Sequence, residues 1–241
     1  MNASPIELCL SPALYPFRTL QQGHNAVAVD VLRATTAVCA AFMAGAEEVV
    51  PLLSLDELEP YRQQGYLRAA ERGGKKIDNA ECGNSPTEYL TMDLHGQRLA
   101  YSTTNGTVCI LKAADADHTW VGSFANIGAL TQKLLSAPHP LVIVCSGWKN
   151  SCSVEDTLFA GALCQRLIDS GCYASTDDAV QMALDLWQSA CHDPYQYALH
   201  KASHVQRLLA FGPQAAADIE FAFCLDTCPL VPELHDGRLT L

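Results

Sequence analysis

At 241 residues, 49% apolar and only 17% charged, the chain has material for a sizeable core in one large α/β domain or two modest ones. A net charge of −11 with no basic stripe argues against a nucleic-acid partner, although arginines, backbone N–H groups or a metal can still receive a small anion locally. No apolar run reaches membrane length and Met1–Pro5 holds no signal-like segment, so we expect a soluble cytoplasmic protein with no membrane partner.

In chain order, Ile6–Leu10 reads as a short strand. Ala26–Leu32 is a stronger one, apolar on both faces as central strands of a parallel sheet are. It leads through Arg33-Ala34-Thr35-Thr36 into a helix over Ala37–Ala44, stopped by Gly45 at its C′ position. Glu48–Leu53 is the next strand, and Ser54-Leu55-Asp56-Glu57 is a capping-box start for a short helix. A strand over Tyr66–Ala70 delivers Glu71-Arg72-Gly73-Gly74. Lys75–Pro86 is polar and irregular, contains Gly83-Asn84-Ser85-Pro86, and has the length of a functional loop.

Arg98–Tyr101 feeds Ser102-Thr103-Thr104-Asn105-Gly106-Thr107, followed by a helix over 106–114. Hydroxyls, Asn and Gly between a strand and a helix make either an N-cap or an anion cradle at the unpaired N–H groups of the helix start. A brief strand over His118–Val121 and a helix over Asn126–Leu135 precede the apolar strand Leu141–Cys145, which ends in Ser146-Gly147-Trp148-Lys149. Ser153-Val154-Glu155-Asp156 opens a helix to Ile168, as a capping box or with its acids at a functional edge.

Beyond Gly171 we expect a helical cover, with a helix over Asp177–Ala190 and a helical stretch over Tyr195–Phe211 that carries a polar interruption. The alternation of Ile219, Phe221, Phe223 and Leu225 then suggests a half-exposed returning strand. The division is thus 1–170 for the α/β core and 171–241 for the cover and last strand, within what can be one continuous domain. The 11 cysteines, odd in number and without a C-x-x-C pair, read as reduced core thiols. The histidines are scattered, none at zinc spacing, and His235-Asp236 reads as a solvated turn.

Four strand ends carry polar residues: Asp30/Arg33/Thr35/Thr36, Glu71/Arg72/Gly73/Gly74, Thr103–Thr107, and Ser146/Gly147 with Glu155/Asp156. Ligands bind at the carboxyl ends of strands in open parallel sheets, so these clusters are expected to share one cleft. Arginines and Gly/Thr/Asn loops suit phosphate, and carboxylates suit Mg²⁺. Such a metal could polarise the phosphoryl group or activate a water for in-line attack. The chain has no Cys-x5-Arg loop, no Asp-x-Asp-x-Thr, no Arg-His-Gly, no phosphate-binding G-x-x-x-x-G-K-[ST] and no G-x-G-x-x-G.

Val29-Asp30-Val31-Leu32-Arg33-Ala34-Thr35-Thr36, Glu71-Arg72-Gly73-Gly74, Gly83-Asn84-Ser85-Pro86, Thr103-Thr104-Asn105-Gly106-Thr107 and Glu155-Asp156, in that order, resemble the 2-phosphosulfolactate phosphatase family. The resemblance runs from Ala26 to the C-terminal region, with departures at Ala70 and at Asp78-Asn79-Ala80-Glu81. It implies a three-layer α/β/α sandwich around a largely parallel or mixed sheet, with a helical C-terminal insertion. The activity it implies is Mg²⁺-dependent hydrolysis of 2-phosphosulfolactate to 3-sulfolactate and phosphate. On that reading Asp30, Glu71 and Asp156 supply metal ligands, and Arg33 and Arg72 act with them in catalysis. Thr35, Thr36, Gly73, Thr103, Thr104, Asn105, Gly106, Thr107 and Gly147 surround the phosphate, and Asn84 and Ser85 close over the carboxylate or sulfonate. The alternatives are a phosphatase of this fold for another small phosphorylated acid, or a non-catalytic binder of phosphorylated metabolites. The sequence leaves homo-oligomer formation open.

Overall fold

In the computed structural model, which describes residues 3–241, the strands are β1 (Ser4–Cys9), β2 (Asn25–Val29), β3 (Glu48–Pro51), β4 (Leu67–Arg72), β5 (Lys75–Lys76), β6 (Arg98–Ser102), β7 (Thr119–Gly122), β8 (Leu141–Cys145), β9 (Tyr173–Ala174), β10 (Glu233–His235) and β11 (Arg238–Thr240). The helices are α1 (Ala34–Met43), α2 (Leu58–Arg62), α3 (Pro86–Tyr89), α4 (Gly106–Lys112), α5 (Ile127–Ser136), α6 (Val154–Asp169), α7 (Asp178–Ala190), α8 (Pro194–Lys201), α9 (Ser203–Leu209) and α10 (Pro213–Ala222). Together they form an α/β three-layer sandwich on a mixed sheet of order β5-β4-β6-β3-β11-β10-β7-β2-β8-β1-β9. One parallel block holds β4, β6 and β3, and another holds β7, β2, β8, β1 and β9. The β10–β11 hairpin joins them, pairing antiparallel with β7 through Glu233 and with β3 through Leu239.

The layers follow from the period-2 geometry of β2, whose five residues are all buried. Val27 and Val29 pack with Leu141 and Ile143 of β8 against α5, α6 and α7. Ala26 and Ala28 face the other way, and their small size admits α1 close to the sheet. That helix is apolar all round, with Ala34, Ala37, Ala40 and Ala41 buried, and it packs against β2 of one block and Val49, Leu99 and Tyr101 of the other. Each fully buried Val, Leu or Ile stabilises by about 1.5–3 kcal/mol, so contact on two sides, more than helix propensity, holds α1 in place. Its N-terminus is thereby fixed at the end of β2, where Asp30 lies.

One expectation for the C-terminal region is corrected. Ile219–Leu225 is not a strand: Pro213 starts α10 at its first position, and Ile219, Ala222 and Phe223 share one buried helical face. Residues spaced by three and four with a coincidental two-residue alternation satisfied both patterns. The returning strands are β10 and β11, turned by Asp236 (φ 48°) and Gly237 (φ 77°), the left-handed pair a two-residue hairpin favours. The interruption expected within the helical stretch Tyr195–Phe211 falls at Ala202, between Lys201 and Ser203, and separates α8 from α9. Val180, Ala198, Leu208 and Ile219 of this helical segment share one apolar cluster with Val27 and Ile143 of the sheet.

Candidate active site

Asp30 follows β2 in a loop closed on itself by hydroxyls. The Thr35 hydroxyl accepts the Asp30 N–H at 3.0 Å and donates to the Asp30 carbonyl at 2.8 Å, while the Thr36 hydroxyl donates to Val31. Thr35 and Thr36 are fully buried and shape the loop rather than lining a cavity. The Asp30 Oδ1 accepts the Ala34 N–H at 3.2 Å, and among the described residues no backbone N–H reaches Oδ2. Burial raises this carboxyl to about 6, against the pull of the Ala34 N–H and of nearby His204.

Glu71 is the penultimate residue of β4, just before a tight hairpin. Gly73 (φ 62°) and Gly74 (φ 85°) take the left-handed pair that β4 and β5 need, and a Cβ on Gly74 would meet the Phe211 ring at 2.7 Å. One Glu71 oxygen accepts the Gly74 N–H and the other the Thr104 N–H, each at 2.6 Å. Glu71 therefore ties the hairpin to the loop after β6.

Within that loop most hydroxyls are used internally. Thr103 Oγ1 accepts the Thr107 N–H at 3.1 Å, Thr107 Oγ1 accepts the Thr103 N–H at 3.3 Å, and Thr104 Oγ1 accepts the Gly73 N–H. A Cβ on Gly106 would lie 2.2 Å from Ala34 Cβ and 2.7 Å from Asp30 Oδ2. Glycine here lets the start of α4 press against Asp30. Asn105 faces the cavity.

Arg33 is clamped. Its Nη1 donates to Asp218 of α10 at 2.6 Å and its Nη2 to the Gly74 carbonyl at 2.6 Å. Asp218 is fully buried, and its other oxygen accepts from the Ser85 hydroxyl at 2.7 Å and the Thr87 hydroxyl at 2.5 Å. Ser85 thus serves Asp218, whereas Asn84 lines the cavity. Arg72 folds away, donating to the Glu71 and Ser102 carbonyls and to the Ser102 hydroxyl.

Asp156 opens α6 without acting as the expected capping box. Its oxygens accept the Val31 N–H at 2.8 Å and the Gly147 N–H at 2.9 Å, which braces the loops after β2 and β8. Burial and the neighbouring Asp30 and Glu155 charges push its carboxyl well above the usual range. Gly147 (φ 59°) has no room for a side chain, since a Cβ would lie 2.0 Å from the Ser151 carbonyl. Glu155, which precedes Asp156 in α6, is hydrogen-bonded through Oε1 to His204 Nδ1 at 2.9 Å.

Asp30, Arg33, Glu71, Gly74, Asn84 and Asn105 converge on one narrow cavity of about 20 Å³, covered by Trp148, His204 and Leu208. Arg72, Gly73, Ser85 and Asp156 are not part of this lining, Gly73 being exposed at the tip of the hairpin. Among the described residues no three His, Cys, Asp or Glu side chains form a metal cage, so Asp30, Glu71 and Asp156 are not a closed three-carboxylate site. Mg²⁺ needs less, taking one or two carboxylates and completing its shell with water and substrate oxygens. Asp30, with Oδ2 unheld by backbone, and Glu71, with a spare lone pair on each oxygen, fit that requirement. Asp218, His204 and Trp148 were not among the expected site residues. Trp148 lies in the strand-end loop Ser146–Lys149 beside the expected Gly147, whereas no local motif marks Asp218 and His204, which helices far along the chain bring in.

A family profile described as 2-phosphosulpholactate phosphatase matches residues 9–237. A protein of Synechococcus sp. (strain WH7803) named "Probable 2-phosphosulfolactate phosphatase" is 38% identical over 214 residues, 86% of this chain and 85% of its own length. One of Symbiobacterium thermophilum with the same name is 34% identical over 225 residues, 91% of this chain and 94% of its own. Among the described residues no helix is long and apolar enough to cross a membrane.

Proposed function

The chain belongs to the 2-phosphosulpholactate phosphatase family and is a phosphoric monoester hydrolase; on that premise we propose that it hydrolyses 2-phosphosulfolactate to 3-sulfolactate and phosphate with Mg²⁺ as cofactor. The observation that carries this reading is the convergence of Asp30, Arg33, Glu71 and Asn84 on one cavity. Asp30 and Glu71 would hold the cation, which when bound neutralises charge on the phosphoryl oxygens.

Arg33 has its guanidinium fixed by Asp218 and Gly74 before substrate arrives, so little side-chain freedom is lost on gripping a phosphoryl group. The Asn84 and Asn105 amides add neutral donors in the same lining. Asp156 and Thr35 hold the backbone that carries Asp30. The cavity has room for about one water, so the α9 residues His204 and Leu208 must shift to admit a three-carbon ester and then shield it from solvent.

Phosphate release from 2-phosphosulfolactate tests the reading, measured with and without EDTA and in Asp30→Asn. Loss of turnover in both is expected; undiminished release in either removes the metal role. Release from other phosphorylated acids but not from this one would reassign the substrate. Tight ester binding without turnover of any ester would make the protein a binder.

A further inference from the structure

Two thiols that the active site does not use meet between α1 and the segment that follows α10. Cys39 sits on α1 and is fully buried. Cys228 comes 189 residues later, in the irregular stretch between α10 and β10, and its Sγ lies 3.9 Å from the Cys39 carbonyl oxygen. The two side chains share one apolar cluster and are hydrogen-bonded to each other. One short turn holds both in place: the Ser123 hydroxyl donates to the Cys39 Sγ at 3.5 Å, and the Ala125 carbonyl accepts the Cys228 N–H at 2.8 Å.

The contact makes the two thiols unequal. The Cys39 S–H, donated to Cys228, draws the Cys228 thiol below its ordinary range, and the same bond together with burial holds Cys39 well above it. Cys228 alone among the buried cysteines is shifted downwards. A thiolate is the nucleophilic form, so Cys228 is the attacking sulfur and Cys39 the resolving one. Access comes through the loop. From Cys224 to Pro229 every residue except Cys228 is exposed, so a local opening of this stretch presents the thiol to a small solute while the sheet stays folded.

We propose that Cys39 and Cys228 are a redox pair, which hydrogen peroxide converts in the folded protein into a reversible disulfide that staples α1 to the segment after α10. The Cys228 thiolate attacks one peroxide oxygen: an S–O bond forms, the O–O bond breaks, and the hydroxide released takes up the proton Cys228 had lost. Cys39 then attacks the Cys228 sulfur. The S–S bond forms, the S–O bond breaks, and the departing oxygen takes the Cys39 proton and leaves as a second water. Two thiols give up two electrons and the peroxide accepts them; a dithiol reductant returns them. The staple joins the same two parts of the chain as the Arg33–Asp218 ion pair, since Arg33 precedes α1 and Asp218 lies on α10. A covalent link across so long a stretch of chain restricts the unfolded state more than the folded one.

The experiment uses the full chain with the three exposed thiols, Cys152, Cys191 and Cys224, replaced by serine, which leaves eight of the 11 cysteines. The folded protein is treated with hydrogen peroxide at neutral pH, quenched, unfolded and titrated for thiols. The count is expected to fall from eight to six, a non-reducing peptide map to link Cys39 to Cys228, and Tm to rise by at least about 5 °C. Dithiothreitol should restore both count and Tm. With Cys39→Ser added, oxidation should stop at a sulfenic acid on Cys228, trapped by dimedone; with Cys228→Ser, Cys39 should stay unmodified. A count that remains at eight, or a Cys39–Cys228 link that forms only after unfolding in urea, overturns the proposal, and these readouts need neither serine variant to fold. A link that forms in the folded protein but leaves Tm unmoved refutes the staple.

Discussion

Asp218→Ala removes the partner that holds Arg33. The pair is deeply buried, with Arg33 7% exposed and Asp218 not at all, at 2.6 Å. Truncation leaves a guanidinium charge in low dielectric with only the Gly74 carbonyl, and it strips an acceptor from Ser85 and Thr87. Breaking a buried pair on one side costs about 3–5 kcal/mol. For a chain of this size that corresponds to a drop in Tm of roughly 6–20 °C. Differential scanning fluorimetry reads it directly. A second variant, Arg33→Met with Asp218→Leu, replaces the pair with apolar groups of similar volume and is expected to recover at least half the lost Tm. On the role proposed for Arg33, phosphatase activity is expected to be lost in the double variant although its Tm recovers. An Asp218→Ala protein melting within about 2 °C of wild type would refute the clamp, because the magnitude follows from desolvation of the charge left behind.

Gly106→Ala places a methyl group against Ala34 and the Asp30 carboxylate; a stability loss of about 1–3 kcal/mol and a fall in kcat of at least tenfold are expected by chemical melts and steady-state assay. The Arg68 hydrogen bond holds Glu81 down to about 2, and a depressed acid stabilises above its ordinary range and loses that contribution as pH falls towards 2. Glu81 is 38% exposed, so Arg68→Ala should cost under about 1 kcal/mol at neutral pH, a difference in urea midpoint that disappears by about pH 2. Among thiols, Cys152, Cys191 and Cys224 are exposed, whereas burial pushes Cys82 up to about 11 and Cys9 up to about 12. A colorimetric thiol reagent at neutral pH should modify those three rapidly in the native protein and all 11 in denaturant, and fast loss of Cys9 or Cys82 would contradict the packing.

What could be read from the sequence, and what could not, divides by the range of the interaction. Asp30, Glu71 and Asn105 were legible because each sits at the polar end of an apolar strand that carries it to the cavity, and Asn84 because the polar loop Lys75–Pro86 has the length of a functional one. The use to which neighbouring side chains are put was not legible. Thr103 and Thr107 look like free donors in one dimension, yet each accepts the other's N–H; Thr35 spends its hydroxyl on the Asp30 backbone. Hydroxyl-rich loops bond to themselves as readily as to an anion, and composition cannot tell which bond wins. Asp218 lay further out of reach, 185 residues from Arg33 and in a stretch whose alternation imitated a strand. The short-range code therefore supplies the polar groups that line the cavity, and the C-terminal helices supply what locks and covers them: Asp218 on α10, His204 and Leu208 on α9. Lys201 and Arg207 lie in the same helical segment, close beside that cover. Changes in this segment therefore alter what locks and covers the cavity while the residues around Asp30 stay as they are.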